Sequence, residues 1–249
     1  MKFIKELANE ISKAVLKLDL AESSKILKSN EHDVTRVIDH IAERKAVELL
    51  KNQTEFNLLT EESGYYDFGG KKTIILDPVD GTFNAIAGIP FYSVSIAVGV
   101  SKISDLEYGL VKNLVTNEEF EAYRGKGAYL NGKRIRTKNF NPNDLAFSIY
   151  LSKYATPKSF ELAKKARRLR SLGCASLDIC LVASGALDAY YQAGYPLRVT
   201  DVAASALILR EAGGEIYDDE ENILEMGFEL NTKKNVLAVG DKKILELIK

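Results

Sequence analysis

The feature that most constrains the fold is a run of strand-like segments in the middle of the chain. In PFYSVSIAVGV, Tyr92, Val94, Ile96 and Val98 alternate with smaller residues, which predicts a long β-strand. The segments EFNLLT, TIILD, LEYGLVKNLV and EEFEAYRG continue the pattern, and the Asn-Gly pair of AYLNGKRI is typical of a tight hairpin. The sequence therefore predicts an antiparallel sheet for this portion.

Helical periodicity flanks this portion on both sides. Apolar residues from Phe3 to Leu18 recur at helical spacing, which predicts an amphipathic helix over the first twenty residues, and a second helix is predicted from about Thr35 to Leu50. After about Leu151, predicted helices and strands alternate: helices in PKSFELAKKARRLR, ASLDICLVASG, TDVAASALILREAGG and KKILELIK, with strands in LDAYYQ, GEIYD and NVLAVG.

The length of 249 residues suits one large domain or two closely packed lobes. The pattern changes near residue 140, which predicts an N-terminal α+β lobe over residues 1–140 and a C-terminal α/β lobe over residues 141–249. The two lobes are expected to form one catalytic unit.

Composition excludes several classes of protein. With 34 basic and 35 acidic residues, the chain offers no charge that would attract nucleic acid or a membrane. The charged N-terminus lacks the apolar stretch of a signal peptide, so a cytoplasmic location is expected. Cys174, Cys180, His32 and His40 are the only cysteines and histidines. They are too few for a zinc centre, so any metal is expected to have oxygen ligands, as Mg²⁺, Mn²⁺ and Ca²⁺ prefer.

The motif ILDPVDGTFN joins an apolar strand to a short helix. Taken alone, its Pro and Asp-Gly residues are ordinary turn chemistry. The strand is expected to stop at Asp77, so that this carboxylate, the Val79 carbonyl and the Asp80 carboxylate converge as a hard cation requires. Gly81 and Thr82 are expected to begin a helix, whose free N–H groups favour a phosphate.

Four further acids are candidates, and each has an ordinary alternative. Asp39 is compatible with a solvated helix face, and Glu61 with Glu62 is compatible with a charged loop. Asp201 precedes an apolar helix, where its most economical role is an N-cap.

Taken in order, the segments KSNEHDVTRVID, TEES, DPVDGTFN, GCASLDICLVASGALDAYY and TDVAASALILREAGGEIYD resemble the inositol monophosphatase superfamily over most of the chain. DGTFNAIAGIPFYSVSIAVG is similar to the archaeal-type branch, which often hydrolyses both inositol monophosphate and fructose 1,6-bisphosphate. The resemblance implies an α+β sugar-phosphatase fold, a layered αβαβα sandwich. Its large, mostly antiparallel sheet would lie in the N-terminal lobe, and a smaller mixed sheet with helices in the C-terminal lobe.

The resemblance also implies a set of metal ligands. Glu61, Asp77 and the Val79 carbonyl would hold one ion; Asp77, Asp80 and Asp201 would hold a second. Glu61 would also lie near a third, more hydrated ion. The implied cofactor is Mg²⁺, two or three ions per site, with Mn²⁺ as a substitute.

Catalytic and substrate-binding roles follow from the same resemblance. Asp39 and Thr82 correspond to the pair that orients the attacking water, with Glu61 as a third catalytic residue. The resemblance implies that Gly81, Thr82, Gly173, Cys174 and Ala175 contact the substrate. The further candidates for substrate binding are Asp80, Gln192, Arg198 and Arg170, the last because it is close to Gly173 in sequence.

Three positions depart from the family pattern. Thr60 replaces a glycine before the two glutamates, and Thr200 replaces a tryptophan before Asp201. Gln192 stands where inositol-selective members have a glutamate, which argues against a strict inositol preference. Arg198, Arg170 or Tyr195 would then meet a second phosphate or an open-chain sugar.

The resulting hypothesis is a Mg²⁺-dependent phosphomonoesterase of gluconeogenic carbohydrate metabolism. It would hydrolyse the 1-phosphate of fructose 1,6-bisphosphate, inositol 1-phosphate, or both, by metal-activated water attack without a phosphoenzyme. The expected partner is a small sugar or cyclitol phosphate, and the expected assembly is a homodimer, with a tetramer as the alternative.

Three alternatives remain open from the sequence. One is a 3′(2′),5′-bisphosphate nucleotidase of the same superfamily. The second is a haloacid-dehalogenase-like phosphatase with an aspartyl nucleophile, although in that class one residue separates the two acids, whereas two separate Asp77 from Asp80. The third is a non-catalytic sensor of metal or phosphate esters.

Overall fold

The structure is a computed structural model that describes residues 1–29, 34–51 and 53–247; His32 lies outside these residues. The α-helices in this part are α1 (Lys2–Val15), α2 (Leu20–Ser23), α3 (Val37–Leu50), α4 (Thr82–Ala87), α5 (Pro157–Lys165), α6 (Ala175–Ala183) and α7 (Val199–Ala212). Short 3-10 helices span Ile103–Asp105 and Lys242–Leu247.

The strands in the same part are β1 (Ile26–Ser29), β2 (Val34–Arg36), β3 (Phe56–Thr60), β4 (Gly64–Tyr66), β5 (Lys72–Asp80), β6 (Ser93–Gly99), β7 (Tyr108–Asn113), β8 (Glu119–Tyr123), β9 (Gly127–Leu130), β10 (Lys133–Ile135), β11 (Ala146–Ile149), β12 (Arg168–Arg170), β13 (Ala189–Leu197), β14 (Glu215–Tyr217) and β15 (Lys234–Val239). β1 and β2 form a separate antiparallel pair.

The large sheet has eight strands in the order β10-β9-β8-β7-β6-β5-β3-β4. All neighbouring pairs are antiparallel except β3 and β5, which are parallel. The chain leaves β3 through β4 at the sheet edge and then crosses to the other side of β3, so β5 enters in the same direction. The mostly antiparallel sheet is confirmed, with one parallel pair that the strand pattern did not indicate.

Asn131 and Gly132 form the predicted hairpin between β9 and β10. Both have positive φ angles, 49° and 75°, as a type I′ turn requires.

The smaller sheet has five strands in the order β12-β11-β13-β15-β14. β11 is parallel to both β12 and β13, whereas β15 is antiparallel to β13 and β14. This mixed sheet agrees with the predicted C-terminal architecture.

Three hydrophobic cores hold five layers together, and the largest of them surrounds the middle layer of helices. α1 and α3 cover one face of the large sheet, and α6 and α7 fill the space between the two sheets. α5 packs on the outer face of the small sheet. The order is therefore helix, sheet, helix, sheet, helix, which confirms the predicted αβαβα sandwich. Because α7 packs against β5 to β9, the segments on either side of residue 140 share one core.

Several predicted helix ends were wrong. α1 ends at Val15, and Asp19 begins a separate helix, α2, by accepting a hydrogen bond from the Glu22 N–H at 2.7 Å. α5 ends at Lys165, and Arg168 and Arg170 lie in β12, where pairing with β11 overrides their helix propensity. The closing element is a 3-10 helix rather than an α-helix.

No helix in the described ranges has both the length and the apolar character needed to cross a membrane.

Candidate active site

A cavity of about 1030 Å³ lies at one end of the large sheet and is shared by both halves of the chain. Its acidic side chains come from separate elements: α3, the turn after β3, the end of β5 and the first turn of α7. They are Asp39, Glu61, Glu62, Asp77, Asp80 and Asp201. Residues far apart in the sequence therefore meet in one volume.

β5 continues to Asp80 instead of stopping at Asp77, which corrects the predicted strand end. Asp77 pairs with Ser95 of β6 and Asp80 pairs with Ser93, so three steps along β5 oppose two steps along β6. This is a β-bulge, which suits Pro78 because proline has no N–H to donate to the ladder. The bulge lets Asp77 Oδ1 accept the Val79 N–H at 3.0 Å.

Three carboxylates form a compact cluster. One oxygen each from Glu61, Asp77 and Asp201 lies within 4.8 Å of the others. Asp77 is buried and the other two are half-buried. Hard oxygen ligands at this spacing suit a divalent cation such as Mg²⁺ or Mn²⁺, so the residues present fit the implied metal.

Asp80 lies beside this cluster and is held by the N-terminus of α6. Its Oδ2 accepts hydrogen bonds from the Ser176 N–H and hydroxyl, both at 2.6 Å, and from the Cys174 thiol at 3.1 Å. Its Oδ1 accepts the Ala175 N–H at 3.3 Å. Asp80 thus connects the end of the large sheet to the C-terminal half, and its role as a metal ligand stays a prediction.

Asp201 is not the N-cap of α7. It occupies the third helical position, and its Oδ2 accepts the N–H of Arg198, the residue that precedes the helix, at 2.8 Å. A carboxylate here is favoured by the positive end of the helix dipole, and the first turn aims it at the cavity.

The cluster carries more negative charge than its surroundings balance. Burial raises the pKa of Glu61, with the charge of Asp201 adding to the effect, and burial likewise raises the pKa of Asp77, with Glu61 and Asp80 adding to it. Burial, reinforced by Asp80, raises the pKa of Asp201 to about 6. Clustered carboxylates of this kind gain stability from a bound cation.

Asp39 and Thr82 form the expected pair. The Thr82 hydroxyl lies 2.8 Å from Asp39 Oδ1 and 3.0 Å from the Val79 carbonyl oxygen. Burial raises the pKa of Asp39 to about 6, so above that pH the carboxylate is ionised and accepts a hydrogen bond from the Thr82 hydroxyl. The oxygen lone pairs of Thr82 are then left to accept a hydrogen bond from water.

Arg198 supplies positive charge to the cluster. Its guanidinium donates a hydrogen bond to Glu61 Oε1 at 2.6 Å, and the arginine side chain is 14% exposed. This ion pair joins the residue before α7 to the turn after β3.

The predicted substrate-binding residues divide into two groups. Asp80, Gly81, Thr82, Gly173, Ala175, Gln192 and Arg198 line the cavity. Cys174 is buried behind it against Asp80, and Arg170 lies on the exposed strand β12, where its guanidinium donates to the Leu169 carbonyl at 2.8 Å. Arg170 was predicted to contact substrate because it is close to Gly173 in sequence, but it is not among the residues that line the cavity.

Gln192 is held in place within the site. Its amide oxygen accepts the Tyr190 hydroxyl, and its amide nitrogen donates to the Tyr195 carbonyl at 2.7 Å. The side chain therefore stabilises the irregular part of β13 that follows it, in addition to lining the cavity.

Gly81 allows the two halves to approach each other. Its φ is 86°, and a Cβ at this position would lie 3.1 Å from the Cys174 Cβ. Asn84, one turn later, donates to the carbonyls of Phe91 and Leu172, both at 2.7 Å, and so fixes the loop before Gly173.

Sequence reasoning missed several residues of the cavity wall: Thr35, Tyr150, Tyr154 and Lys233. The Tyr195 ring lies 6.1 Å from Tyr150 and 5.9 Å from Tyr154 between centroids, so three tyrosines form one aromatic wall. Tyr150 and Tyr154 are four residues apart, but Tyr195 comes from β13, more than forty residues later, so no local pattern indicated the wall.

Asp178 on α6 is 1% exposed, and its Oδ1 has no hydrogen-bond partner in the described part of the chain. Burial raises its pKa to about 7. A raised folded-state pKa gives stability that is present at low pH and lost as the pH rises through that value.

We therefore expect Asp178→Asn to stabilise the fold at pH 8 by about 2–4 kcal/mol and to have little effect at pH 4. Thermal unfolding of both proteins across this pH range measures the difference. An equal effect at both ends of the range would contradict the raised pKa.

Comparison with known proteins agrees with this geometry. The sequence profile described as "Inositol monophosphatase family" matches residues 1–248. A fructose-1,6-bisphosphatase/inositol-1-monophosphatase of Methanocaldococcus jannaschii is 38% identical over 98% of this chain and 96% of its own length. A solved structure of an inositol monophosphatase–fructose 1,6-bisphosphatase superposes with a TM-score of 0.89 at 35% identity, covering 99% of this chain and 97% of that one.

A second kind of relative is longer than this chain. A bifunctional NADP phosphatase/NAD kinase of Methanococcus maripaludis is 32% identical over 94% of this chain, but the match covers 46% of that protein.

Proposed function

This chain belongs to the inositol monophosphatase family and is a phosphoric monoester hydrolase, and on that premise we propose that Mg²⁺ is its cofactor and that it acts on sugar and cyclitol phosphates. The preferred reactions are release of the 1-phosphate of fructose 1,6-bisphosphate and hydrolysis of inositol 1-phosphate. The observation that carries the proposal is the meeting of Glu61, Asp77 and Asp201 beside the Asp39–Thr82 pair.

The chemistry is divided between the cation and the protein. Bound Mg²⁺ supplies the positive charge that makes water a better nucleophile and neutralises the phosphate and the departing alkoxide. Glu61, Asp77 and Asp201 would hold it, with Asp80 and the Val79 carbonyl as further oxygen donors.

The remaining residues position the reactants. The Thr82 hydroxyl donates its hydrogen bond to Asp39, so the hydroxyl oxygen is left as an acceptor for a hydrogen bond from the attacking water. Backbone N–H groups at the start of α4 would bind the phosphate oxygens. No side chain of the chain forms a bond to phosphorus in this scheme, in contrast to an aspartyl-phosphate mechanism.

The cavity lining supports a substrate with a second charged end. Arg198 and Lys233 are both among the lining residues, and Gln192 replaces the glutamate of inositol-selective members, which removes a negative charge that would repel a second phosphate. These features favour fructose 1,6-bisphosphate over inositol 1-phosphate.

One observation favours a second candidate. The aromatic wall of Tyr150, Tyr154 and Tyr195 offers rings on which a nucleobase can stack, and one relative is named for NADP phosphatase activity. A nucleotide carrying a 2′- or 3′-phosphate is therefore the alternative substrate.

A substrate panel tests the proposal. With Mg²⁺ present, we expect kcat/KM to be highest for fructose 1,6-bisphosphate, lower for inositol 1-phosphate, and lowest for NADP and 3′-phosphoadenosine 5′-phosphate. All phosphate release should stop with excess chelator and return with Mg²⁺. A tenfold preference for either nucleotide would overturn the sugar assignment, and release that survives the chelator would overturn the metal assignment.

We also propose that the protein is a cytoplasmic homodimer that acts in gluconeogenesis, as expected from its resemblance to the family. Sedimentation equilibrium measures the assembly directly; a monomer at micromolar concentration would contradict it.

A further inference from the structure

A buried glutamate on α3 holds the turn that carries Glu61. Glu43 is 3% exposed and lies one helical turn after Asp39, on the same face of α3. Its Oε2 accepts the Thr60 hydroxyl at 3.1 Å and the Glu62 N–H at 3.2 Å. One carboxylate oxygen therefore holds the residues on both sides of Glu61.

Burial of the Glu43 carboxylate is not explained by helix packing alone. An ionised group in the interior is costly unless hydrogen bonds compensate it, and packing α3 on the sheet would need only an apolar side chain. The two donors to Glu43 come from the end of β3 and the turn that follows, not from α3 itself. The carboxylate is thus placed to organise that turn.

Thr60 has a defined part in this contact. The family glycine at this position has no side chain, whereas the threonine hydroxyl here adds a donor to Glu43. Thr60 is fully buried, and β3 pairs it with Gly64 and with Leu76, the residue before Asp77. The hydroxyl therefore links α3 to the strand position nearest the carboxylate cluster.

We propose that Glu43 and Thr60 are positioning residues that orient Glu61 toward the metal cluster. The inference rests on the proposed function, because Glu61 matters only if a cation binds there. Groups that orient a metal ligand through hydrogen bonds commonly change metal affinity by about 10- to 100-fold when they are replaced.

The test measures Mn²⁺ binding by titration calorimetry, without substrate, alongside thermal unfolding. Glu43→Leu keeps the packing and removes the acceptor, and we expect it to raise the Mn²⁺ Kd by about 10- to 100-fold. Thr60→Val keeps the shape and removes one donor, so a smaller increase of about 3- to 10-fold is expected, with Thr60→Ser restoring the wild-type Kd. Thr73→Val, a buried threonine on the neighbouring strand, is the matched control and should leave the Kd unchanged.

The outcomes separate the two proposals. Wild-type protein that binds no Mn²⁺ overturns the proposed function and this inference with it. With wild-type binding intact, an unchanged Kd in Glu43→Leu overturns only this inference and assigns Glu43 a purely structural role, and an unchanged Kd in Thr60→Val overturns the part assigned to Thr60. If Glu43→Leu fails to fold, the Thr60 series alone decides the result.

Discussion

Replacing Asp77 with asparagine is expected to lower kcat by at least about 1000-fold while leaving the fold intact. Asp77 is the buried member of the cluster, and the amide keeps its shape but removes the charge that a hard cation needs. Loss of the cation's electrostatic contribution is worth several kcal/mol in the transition state, and about 4 kcal/mol corresponds to 1000-fold.

The same substitution should raise the stability of the metal-free protein. Burial and the neighbouring carboxylates raise the pKa of Asp77, which means that its charge is unfavourable in the folded state at neutral pH. We expect a higher melting temperature for Asp77→Asn at pH 8 with chelator present, together with loss of the stabilisation that Mg²⁺ gives to the wild type.

Asp67→Asn provides the control, because Asp67 is an exposed acid between β4 and β5. It should change neither turnover nor Mg²⁺ stabilisation. Turnover of Asp77→Asn within tenfold of the wild type would show that Asp77 does not hold the catalytic cation.

Thr82→Val should lower kcat by about 100- to 1000-fold with little change in KM. Valine fills the same space, but it has no oxygen to accept the hydrogen bond from the attacking water. In the proposed mechanism the Thr82 hydroxyl, which donates to Asp39, accepts that hydrogen bond and so positions the water near the phosphate. Thr82→Ser keeps the hydroxyl and should retain most of the activity.

The partnership of Asp39 and Thr82 can be tested by combining substitutions. Asp39→Asn presents an amide instead of a carboxylate to the hydroxyl and should lower kcat by a similar factor. If the two residues act as one unit, the double variant will be hardly worse than either single variant. Effects that multiply would show that the residues act independently.

The layered architecture could be predicted because the motifs resemble those of a family with this fold. Strand alternation alone predicted only that the middle of the chain forms an antiparallel sheet. The parallel pairing of β3 with β5 depends on β4 occupying the outer edge of the sheet. β4 has only three residues, so its sequence shows little strand periodicity. The local pattern also predicted the end of β5 too early. A proline usually ends a strand, and the sequence does not indicate the β-bulge that lets β5 continue past Pro78.

The acids of the site could be predicted, but several of their partners could not. Taken in isolation, Asp201 before an apolar helix suggested an N-cap, whereas α7 begins at Val199 and places Asp201 at the third helical position. Arg170 is near Gly173 in sequence, yet pairing of β12 with β11 places it on the surface. The role of Glu43 could not be predicted, because in the sequence it is one of several charged residues on a helix. Its burial depends on the turn after β3 that it contacts.

The central claim is that side chains far apart in the sequence hold a divalent cation beside the bound phosphate. Anomalous diffraction from crystals grown with Mn²⁺ tests it most directly, because the scattering locates the ion without reference to activity. We expect a strong peak within about 2.5 Å of carboxylate oxygens of both Glu61 and Asp77, with Asp80 or Asp201 bound to a second one. Crystals of active, Mn²⁺-loaded enzyme that show no peak at these carboxylates would contradict the claim.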